Sequence, residues 1–335
     1  MKQAFIIISN GFGGIETYEN NIIKFLENEN KDVYCIGKKT NKINKKKIYC
    51  NVLYRPINVL NYILSIKKKG YDEIIFLISN PLILIIYFFL IKFNFKRKKI
   101  ILTIHSHIFN LSIKQRIIGL ITSILINYID NVIFVSHFTK NWWLENFALC
   151  KRSKYKVIHN FIFHPKKIKK MNNFFNIGFV GRIDQEKGVE KFVNIANKFQ
   201  DPKIKFLLFG NKNNKLKNNN IKLYGWKNKN FIYNKIHLLL LTSPIENCPY
   251  SVLESKSYGI PTLTISNGGV KEIIKHNNDG MLLKQNASIE EIIENIKYIK
   301  KNYKYFSKNC LLNYKKYEYI KNKKKLINIF LYKVS

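Results

Sequence analysis

Apolar residues in this chain fall into short continuous runs separated by segments with helical periodicity. The runs in the first half that have the length of buried strands lie at residues 4–8, 33–36, 73–78, 100–104 and 131–135. After the first run, apolar residues recur at helical spacing at Ile15, Tyr18, Ile22 and Leu26. Buried strands alternating with amphipathic helices are typical of a parallel sheet covered by helices. The first half is therefore predicted to form one doubly wound α/β sheet.

The second half repeats this opening. A strand predicted at residues 177–180 precedes a turn and a helix, and further strands are predicted at residues 205–209, 222–224 and 237–242. A polar, lysine-rich stretch at residues 166–173 separates the halves, and 335 residues suit about two domains. The predicted organisation is an N-terminal Rossmann-like domain at 1–168, a C-terminal Rossmann-like domain at 169–313, and a helix at 314–335 that returns to the first domain.

One nearly continuous apolar run, at residues 74–93, has roughly the length needed to span a bilayer. Ser79-Asn80-Pro81 interrupts it with a turn and helix-start signal, which favours a strand, a turn and a helix over a transmembrane segment. The helices predicted at 81–93 and 116–129 are nonetheless apolar on all sides. With lysines nearby, they suit a protein on an anionic membrane surface, at the inner face of the cytoplasmic membrane.

The chain is strongly basic, with 58 Lys and Arg against 21 Asp and Glu and a formal net charge of +37. Such a charge attracts nucleic acid or anionic membranes. No zinc-finger spacing or RNP-like strand accompanies it, so no nucleic-acid partner is expected. Five cysteines without CxxC spacing disfavour a disulfide framework or a zinc site, and the first apolar run is short for a signal peptide. These features predict a cytoplasmic protein.

Two glutamates, Glu246 and Glu254, stand eight positions apart, between a predicted strand and a helix predicted at 252–258. In open α/β sheets, ligands bind beyond the carboxyl ends of the strands. A carboxylate near a helix start can accept the paired hydroxyls of a ribose, and free loop amides can hold an anion. Alternatively, Glu246 is a solvated loop residue and Glu254 a partner of the helix dipole. The scarcity of acids in the chain weakens that alternative.

Two turns after strands have the composition of phosphate-binding loops. Gly13 and Gly14 lie between the first strand and the first helix, where backbone amides can approach a phosphate or sugar. Arg182 and Lys187 flank the turn that opens the second half, where two cations can neutralise a diphosphate. Lys187 alone would suit solvated surface, but Arg182 is one of only five arginines.

Together these segments resemble the retaining GT-B glycosyltransferases of family 4, which build lipopolysaccharide, capsule and other glycans. The resemblance covers most of the chain. Its specific parts are Gly13-Gly-Ile-Glu16, Thr103-Ile-His-Ser-His107, Val135-Ser136 with Thr139-Lys140, Gly181-Arg182 through Lys187-Gly188, Glu246 through Glu254, and Gly268-Gly-Val-Lys-Glu272. It implies an α/β fold of GT-B architecture, with two Rossmann-like doubly wound domains facing across a cleft.

The resemblance also implies roles for individual residues. The catalytic set is His105, Glu246, Arg182 and Lys187, with His105 near the reacting sugar, Glu246 on the transferred sugar and the two cations on the diphosphate. The donor-binding set adds Gly13, Gly14, Asn247, Tyr250, Ser251 and Glu254, with Glu254 on the ribose. The acceptor-side set is Gly14, Glu16 and His107.

The activity implied is transfer of a hexose or N-acetylhexosamine, with retention, from a nucleoside-diphosphate sugar, preferably a UDP-sugar, to a glycan or lipid-linked glycan hydroxyl. The pathway implied is bacterial surface polysaccharide synthesis. No metal cofactor is expected, since the chain has no Asp-x-Asp. Two alternatives stay open: a sugar-nucleotide epimerase or phosphorylase on the same frame, and a noncatalytic polyanion-binding protein.

The chain departs from the family pattern in two places. Val157-Ile-His-Asn-Phe-Ile-Phe163 replaces the common Val-Ile-Pro-Asn-Gly-Ile-Asp, and Cys248-Pro249 replaces the commoner Phe-Gly. Proline has no amide hydrogen, so the second change alters which loop amides can donate. Trp226 fits either a border of the nucleotide base or a core position.

Overall fold

The computed structural model describes residues 2–8, 13–37, 48–51, 56–95, 98–106, 112–147, 154–163, 174–211, 220–265 and 267–331. The chain divides into two compact units. The first contains Met1–His159 and Lys324–Ser335, and the second contains Asn160–Lys323.

Within the described ranges, the first unit contains a seven-stranded parallel sheet. Its strands are β1 (Gln3–Ile8), β2 (Asp32–Ile36), β3 (Ile48–Asn51), β4 (Glu73–Ile78), β5 (Lys98–Ile104), β6 (Asn131–Phe134) and β7 (Tyr155–Val157). Its helices are α1 (Gly14–Asn28), α2 (Pro56–Lys67), α3 (Pro81–Asn94), α4 (Ile113–Leu125) and α5 (His137–Asn146), with a 3-10 turn at Ile126–Tyr128. The order β3-β2-β1-β4-β5-β6-β7 reverses direction at β1, which is a doubly wound topology.

The first core forms because its strands are apolar on both faces. Every residue of β1 is buried, and β4 is buried at all but its first position. In the sequence, parallel strands that are covered by helices on both faces appear as continuous apolar runs of this kind. The helices add the inward faces of α1 and α3 to this core.

The apolar run at residues 74–93 is divided as predicted. Asn80 accepts a hydrogen bond from the Leu82 amide at 2.9 Å, and Pro81 is the first residue of α3. This N-cap and proline end the extended segment and start the helix. In the part of the chain that the structure describes, no helix is long and apolar enough to cross a membrane.

The second unit repeats the topology with a six-stranded parallel sheet in its described part, in the order β10-β9-β8-β11-β13-β15. Its strands are β8 (Phe175–Val180), β9 (Ile204–Phe209), β10 (Ile221–Leu223), β11 (Leu238–Leu241), β12 (Ile245–Glu246), β13 (Thr262–Thr264), β14 (Asn267–Gly268) and β15 (Gly280–Leu282). Its helices are α6 (Val189–Lys198), α7 (Lys229–Lys235), α8 (Tyr250–Ser257), α9 (Val270–Ile273), α10 (Ile289–Lys301) and α11 (Tyr303–Tyr314). Helix α12 (Tyr319–Phe330) runs on into the residues grouped with the first unit. Two doubly wound parallel sheets confirm the predicted fold class.

The second unit begins earlier than residue 169. Asn160 Nδ2 donates to the Cys248 carbonyl at 2.6 Å, and Ile162 forms a bridge with Glu318. These contacts tie residues 160–163 to the second sheet and its helices. The change from strand β7 to the second unit therefore occurs directly after His159.

The segment predicted as one helix at 314–335 is broken. Helix α11 ends at Tyr314, a 3-10 turn follows at Lys315–Tyr317, and α12 starts at Tyr319. The end of α12 packs in the first unit, where Lys99 Nζ donates to the Ile329 carbonyl at 2.5 Å. The Phe330 ring also packs edge-on against Phe25, with centroids 5.9 Å apart.

A buried ion pair lies beneath α8 in the second unit. Lys256 Nζ is 2.6 Å from Asp279 Oδ2, and both side chains are almost fully enclosed. Lys256 also donates to the Ile273 carbonyl, and Asp279 Oδ1 accepts from the Lys275 amide at 2.8 Å. These bonds join α8 to the chain between α9 and β15.

Candidate active site

The loop after β8 carries the two cations predicted to bind a diphosphate. Asp184 caps a 3-10 turn at Gln185–Lys187 by accepting from the Lys187 amide at 3.0 Å. Gly188 ends the turn with φ 67°, and a Cβ there would lie 2.2 Å from the Thr242 carbonyl oxygen. Only glycine permits this backbone and this approach. The loop is thereby held against the carboxyl end of β11.

Lys187 and Glu246 meet at this sheet edge. Lys187 Nζ is 2.6 Å from Glu246 Oε1, and Ser243 Oγ donates to the same oxygen at 2.9 Å. Glu246 is only 8% exposed. The short strand β12 places Glu246 opposite Gly268 of β14. The structure therefore brings a cation and a carboxylate from two different strand ends into one partly buried contact.

Arg182 lies on the same loop and is exposed. Its guanidinium is 3.1 Å from Asp184 Oδ2 and 2.6 Å from Glu186 Oε2. The hydrogen bond to Glu186 raises the Arg182 pKa most, and the charges of Asp184, Glu186 and Glu246 raise it further. Exposed ion pairs of this kind are weak, so an anionic ligand can displace them.

Glu254 belongs to a separate cluster, on the inward side of α8. Its Oε2 accepts from Tyr233 OH at 2.9 Å, and its Oε1 pairs with Lys229 Nζ. Burial, followed by the neighbouring Glu254 carboxylate, raises the pKa of Tyr233 well above its usual value. The two glutamates therefore have different cationic partners, Lys187 for Glu246 and Lys229 for Glu254, in keeping with two different ligand groups.

Three members of these clusters were not anticipated from the sequence. Ser243 stands three residues before Glu246. Its position just after a predicted strand was the feature of the sequence that could have indicated a place in the site. Lys229 and Tyr233 sit four apart on α7, which puts both on one helix face, but nothing local indicates that this face meets Glu254.

The loop between the glutamates has an unusual anchor. Cys248 is buried, and its carbonyl is the acceptor for Asn160 Nδ2. Burial raises the pKa of the Cys248 thiol to about 12, so the thiol stays protonated and inert. Asn247 is partly exposed on this loop, while Tyr250 and Ser251 open α8.

Trp226 follows β10 on the surface and is 57% exposed. The core position considered for it is therefore wrong. Gly225, with φ 68°, turns the chain immediately before it.

In the first unit, Gly13 precedes α1 with φ 70°, and a Cβ at Gly13 or Gly14 would meet no atom of the described residues within 4 Å. The Gly13 carbonyl accepts from the Thr17 amide at 3.0 Å, and Glu16 is exposed in the first turn. The backbone at Gly13 and Gly14 is therefore open to the approach of another group. Residues 9–12 of the same turn lie outside the described residues.

His105 directly follows β5. Its ring packs edge-on against Tyr18 with centroids 4.6 Å apart, and Tyr18 OH is 3.4 Å from Thr103 Oγ1. His105 Nε2 is buried and has no hydrogen-bond partner among the described residues. Burial lowers the His105 pKa to about 3, which keeps the imidazole neutral. His107 lies outside the described residues.

The buried imidazole predicts a pH-dependent stability. Between pH 6.5 and about 3 the unfolded chain protonates His105 and the folded chain does not, so the free energy of unfolding falls as the pH is lowered. We expect the melting temperature of the wild type to decrease more steeply from about pH 7 to pH 5 than that of His105→Gln. Calorimetric melting curves measure both slopes, and equal slopes would contradict a neutral, buried His105.

Comparison with known families accounts for both units. A model of glycosyl transferases group 1 matches residues 160–325. A model of glycosyltransferase family 4 matches residues 12–163. The two matches overlap at residues 160–163, which lie directly after the boundary between the compact units at His159.

Individual relatives are distant. An uncharacterised 41.2 kDa protein in the cps region of Klebsiella pneumoniae is 26% identical over 304 residues, covering 81% of this chain and 83% of the relative. The structure of HepE from Anabaena in complex with UDP-glucose has a TM-score of 0.77 at 16% identity, covering 97% of this chain and 98% of that one. The lipopolysaccharide outer core galactosyltransferase WaaB has a TM-score of 0.70 at 19% identity, covering 98% and 99%. At these identities the structural likenesses show the fold alone.

Proposed function

The chain belongs to the group 1 glycosyltransferases with the GT-B fold, and we propose that it transfers a hexose or N-acetylhexosamine from a UDP-sugar to a hydroxyl of a glycan or lipid-linked glycan. The UDP-sugar is favoured because the Anabaena HepE structure holds UDP-glucose. Bacterial surface polysaccharide synthesis is the proposed setting, since the relatives include a lipopolysaccharide galactosyltransferase and a protein of a cps region.

The observation that carries this proposal is the partly buried pair of Lys187 and Glu246 beside the exposed Arg182. A nucleoside-diphosphate sugar presents an anionic diphosphate next to neutral hydroxyls. The two cations match the diphosphate, and the Glu246 carboxylate can accept hydrogen bonds from sugar hydroxyls. Because Lys187 and Glu246 touch, the groups for diphosphate and sugar stand next to one another, as they do in the substrate.

The proposed reaction retains the anomeric configuration and needs no metal. The bond between the anomeric carbon and the diphosphate oxygen breaks as the acceptor oxygen bonds to that carbon on the same face. The diphosphate takes the acceptor's proton. Arg182 and Lys187 stabilise the negative charge that develops on the leaving group, which is where preorganised cations contribute most. Neutral His105 suits a hydrogen bond to a sugar hydroxyl, since its buried Nε2 has no partner among the described residues.

Glu254 is proposed to bind the ribose. Removing its carboxylate in Glu254→Ala leaves the buried Tyr233 hydroxyl without this acceptor, and it also removes the acceptor proposed for the ribose hydroxyls. We expect UDP binding to weaken roughly tenfold or more, since losing such bonds costs about 1–3 kcal/mol. Calorimetric titration with UDP alone measures this, because UDP contains the ribose but no transferred sugar. Undiminished UDP affinity would contradict the ribose role.

The test of the function is calorimetric titration with a panel of UDP-, GDP- and ADP-sugars. Selective binding of one sugar nucleotide, lost in Arg182→Ala but kept in Lys198→Ala, supports a donor site after β8. Lys198 is a suitable control because it is an exposed cation at the far end of α6. Binding of every polyanion alike, abolished by salt, would instead indicate a noncatalytic polyanion-binding protein.

An acceptor experiment separates transfer from other sugar-nucleotide chemistry. A transferase releases UDP only when a glycan acceptor is present, at a rate that depends on the acceptor concentration. An epimerase changes the sugar with no acceptor present. A phosphorylase releases the nucleotide only with phosphate or diphosphate as co-substrate. Acceptor-independent turnover would overturn the proposed activity.

A further inference from the structure

The outer faces of α3 and α4 leave a continuous set of large apolar side chains uncovered. On α3, Leu82, Ile86, Phe89 and Phe93 are exposed at helical spacing. On α4, the exposed apolar residues are Ile113, Ile117, Leu120, Ile121 and Ile124. Phe93 and Ile113 are each 80% exposed. We refer to these nine residues as the α3/α4 apolar face.

The two helices form one surface. They follow neighbouring strands of the sheet and pack against each other. The opposite sides of both helices are already buried, through residues such as Leu84 and Ile91 on α3 and Gly119 on α4. A Cβ at Gly119 would lie 2.0 Å from the Phe147 ring, so α4 is seated closely on the first unit. The apolar residues of the exposed face are therefore not part of the core, which the opposite sides of the two helices already fill.

The charged residues that α3 and α4 themselves carry have one sign. Neither α3 nor α4 contains an aspartate or glutamate. Lys92 lies exposed beside Phe93, and Lys114 and Arg116 lie exposed between Ile113 and Ile117. A surface with apolar side chains at its centre and cations at its margin complements a bilayer with anionic headgroups.

We propose that the α3/α4 apolar face docks the protein on the surface of an anionic phospholipid bilayer. The apolar side chains enter the region between headgroups and acyl chains, and the cations contact lipid phosphates. Exposed apolar patches of this extent in soluble folds mark interaction sites. A second copy of the chain is a poorer occupant, because two chains of net charge +37 with basic margins would repel each other.

The α3/α4 apolar face also lies close to residues of the proposed active site. This relation to the active site rests on the proposed function, whereas the docking itself does not. Helices α3 and α4 follow β4 and β5, so they begin at the carboxyl edge of the first sheet. His105 follows β5, and the Gly13 loop follows β1 at that same edge. A bilayer in contact with the start of α4 therefore lies near the edge that carries Gly14 and Glu16, which the family resemblance assigns to the acceptor side.

Vesicle flotation with the full-length protein tests the docking surface. The probe vesicles are phosphatidylcholine alone and phosphatidylcholine mixed with phosphatidylglycerol. The test variant is Phe89→Ser/Ile117→Ser, at side chains 60% and 50% exposed. The control is Leu312→Ser/Ile320→Ser, at apolar side chains of the second unit that are 53% and 77% exposed. All four positions are exposed, so folding should survive, and circular dichroism checks this.

We expect the wild type and the control to float with mixed vesicles, and the partition coefficient of Phe89→Ser/Ile117→Ser to fall about tenfold or more. Binding to mixed vesicles that both double variants keep would overturn the proposal, because general positive charge would then suffice. Failure of the wild type to bind any vesicle would also overturn it. A dimer seen by light scattering and lost in the Phe89→Ser/Ile117→Ser variant would then assign the face to a second copy.

Discussion

Replacing Glu246 by glutamine is expected to lower the turnover of sugar transfer by on the order of 10²-fold or more, while UDP binding stays unchanged or becomes tighter. The substitution keeps the shape of the side chain but removes its charge. The carboxylate accepts from Lys187 and Ser243 through one oxygen, Oε1, which leaves Oε2 available to a sugar hydroxyl. Glutamine replaces one of these acceptors with a donor, so either the sugar or Lys187 loses its partner.

The expected gain in UDP affinity, in contrast to the loss of turnover, follows from the ion pair between Lys187 and Glu246. Glu246 neutralises part of the positive charge of Lys187 at 2.6 Å. Without it, the full charge of Lys187 is available to the diphosphate. Initial rates with saturating donor, and calorimetric titration with UDP, measure the two effects separately. Glu290→Gln is the control, at an exposed carboxylate in the first turn of α10. Equal and mild losses from Glu246→Gln and Glu254→Ala would contradict the separate sugar and ribose roles.

Lys256→Met is expected to destabilise the second unit by about 3–5 kcal/mol. Methionine approximates the length of lysine, so the packing of α8 is largely kept. The Asp279 carboxylate, however, loses its cation while it remains fully buried. An unpaired buried charge is costly because neither water nor a counter-ion compensates for its desolvation. Urea unfolding followed by fluorescence or circular dichroism measures the loss.

Two further variants isolate this cause. Lys256→Met/Asp279→Asn removes both charges and keeps an acceptor for the Lys275 amide, so it should recover much of the stability. Lys300→Met breaks the partly exposed pair of Lys300 with Asp201, whose Nζ to Oδ2 distance of 2.8 Å is similar. We expect this loss to stay within about 1 kcal/mol. Similar losses for Lys256→Met and Lys300→Met would show that burial of the pair is not the cause.

The parts of the fold that were predictable depend on local signals. The division of the apolar run at Asn80 and Pro81 needed only an N-cap residue and a proline, because both act through the backbone next to them. The two doubly wound sheets followed from apolar runs of strand length alternating with helical segments. The start of α8 was misplaced by two residues, since the predicted helix began at residue 252 and α8 begins at Tyr250, directly after Pro249.

The site was predictable only in part. Glu246, Arg182 and Lys187 lie just beyond strands, and the topology of a parallel sheet brings such positions to one edge. The contacts of Glu254 with Lys229 and Tyr233 depend instead on how α7 packs against α8, and no spacing along the chain encodes that packing. The sequence predicted that these two apolar helices suit a membrane surface, but not which of their side chains are exposed, because a helix that is apolar all round has the same sequence pattern whether its outer side is covered or open.

Cutting the chain into two consecutive halves does not reproduce its two compact units, because the first unit includes residues from both ends of the sequence. A truncated protein that stops after His159 contains β1 to β7, but it lacks the C-terminal residues from Lys324 onward that belong to the same unit. It removes the Ile329 carbonyl that accepts from the buried Lys99 ammonium, and the Phe330 ring that covers Phe25. A gene for the first unit alone should therefore carry residues 324–331 on a linker, or a circular permutation should place them ahead of Met1.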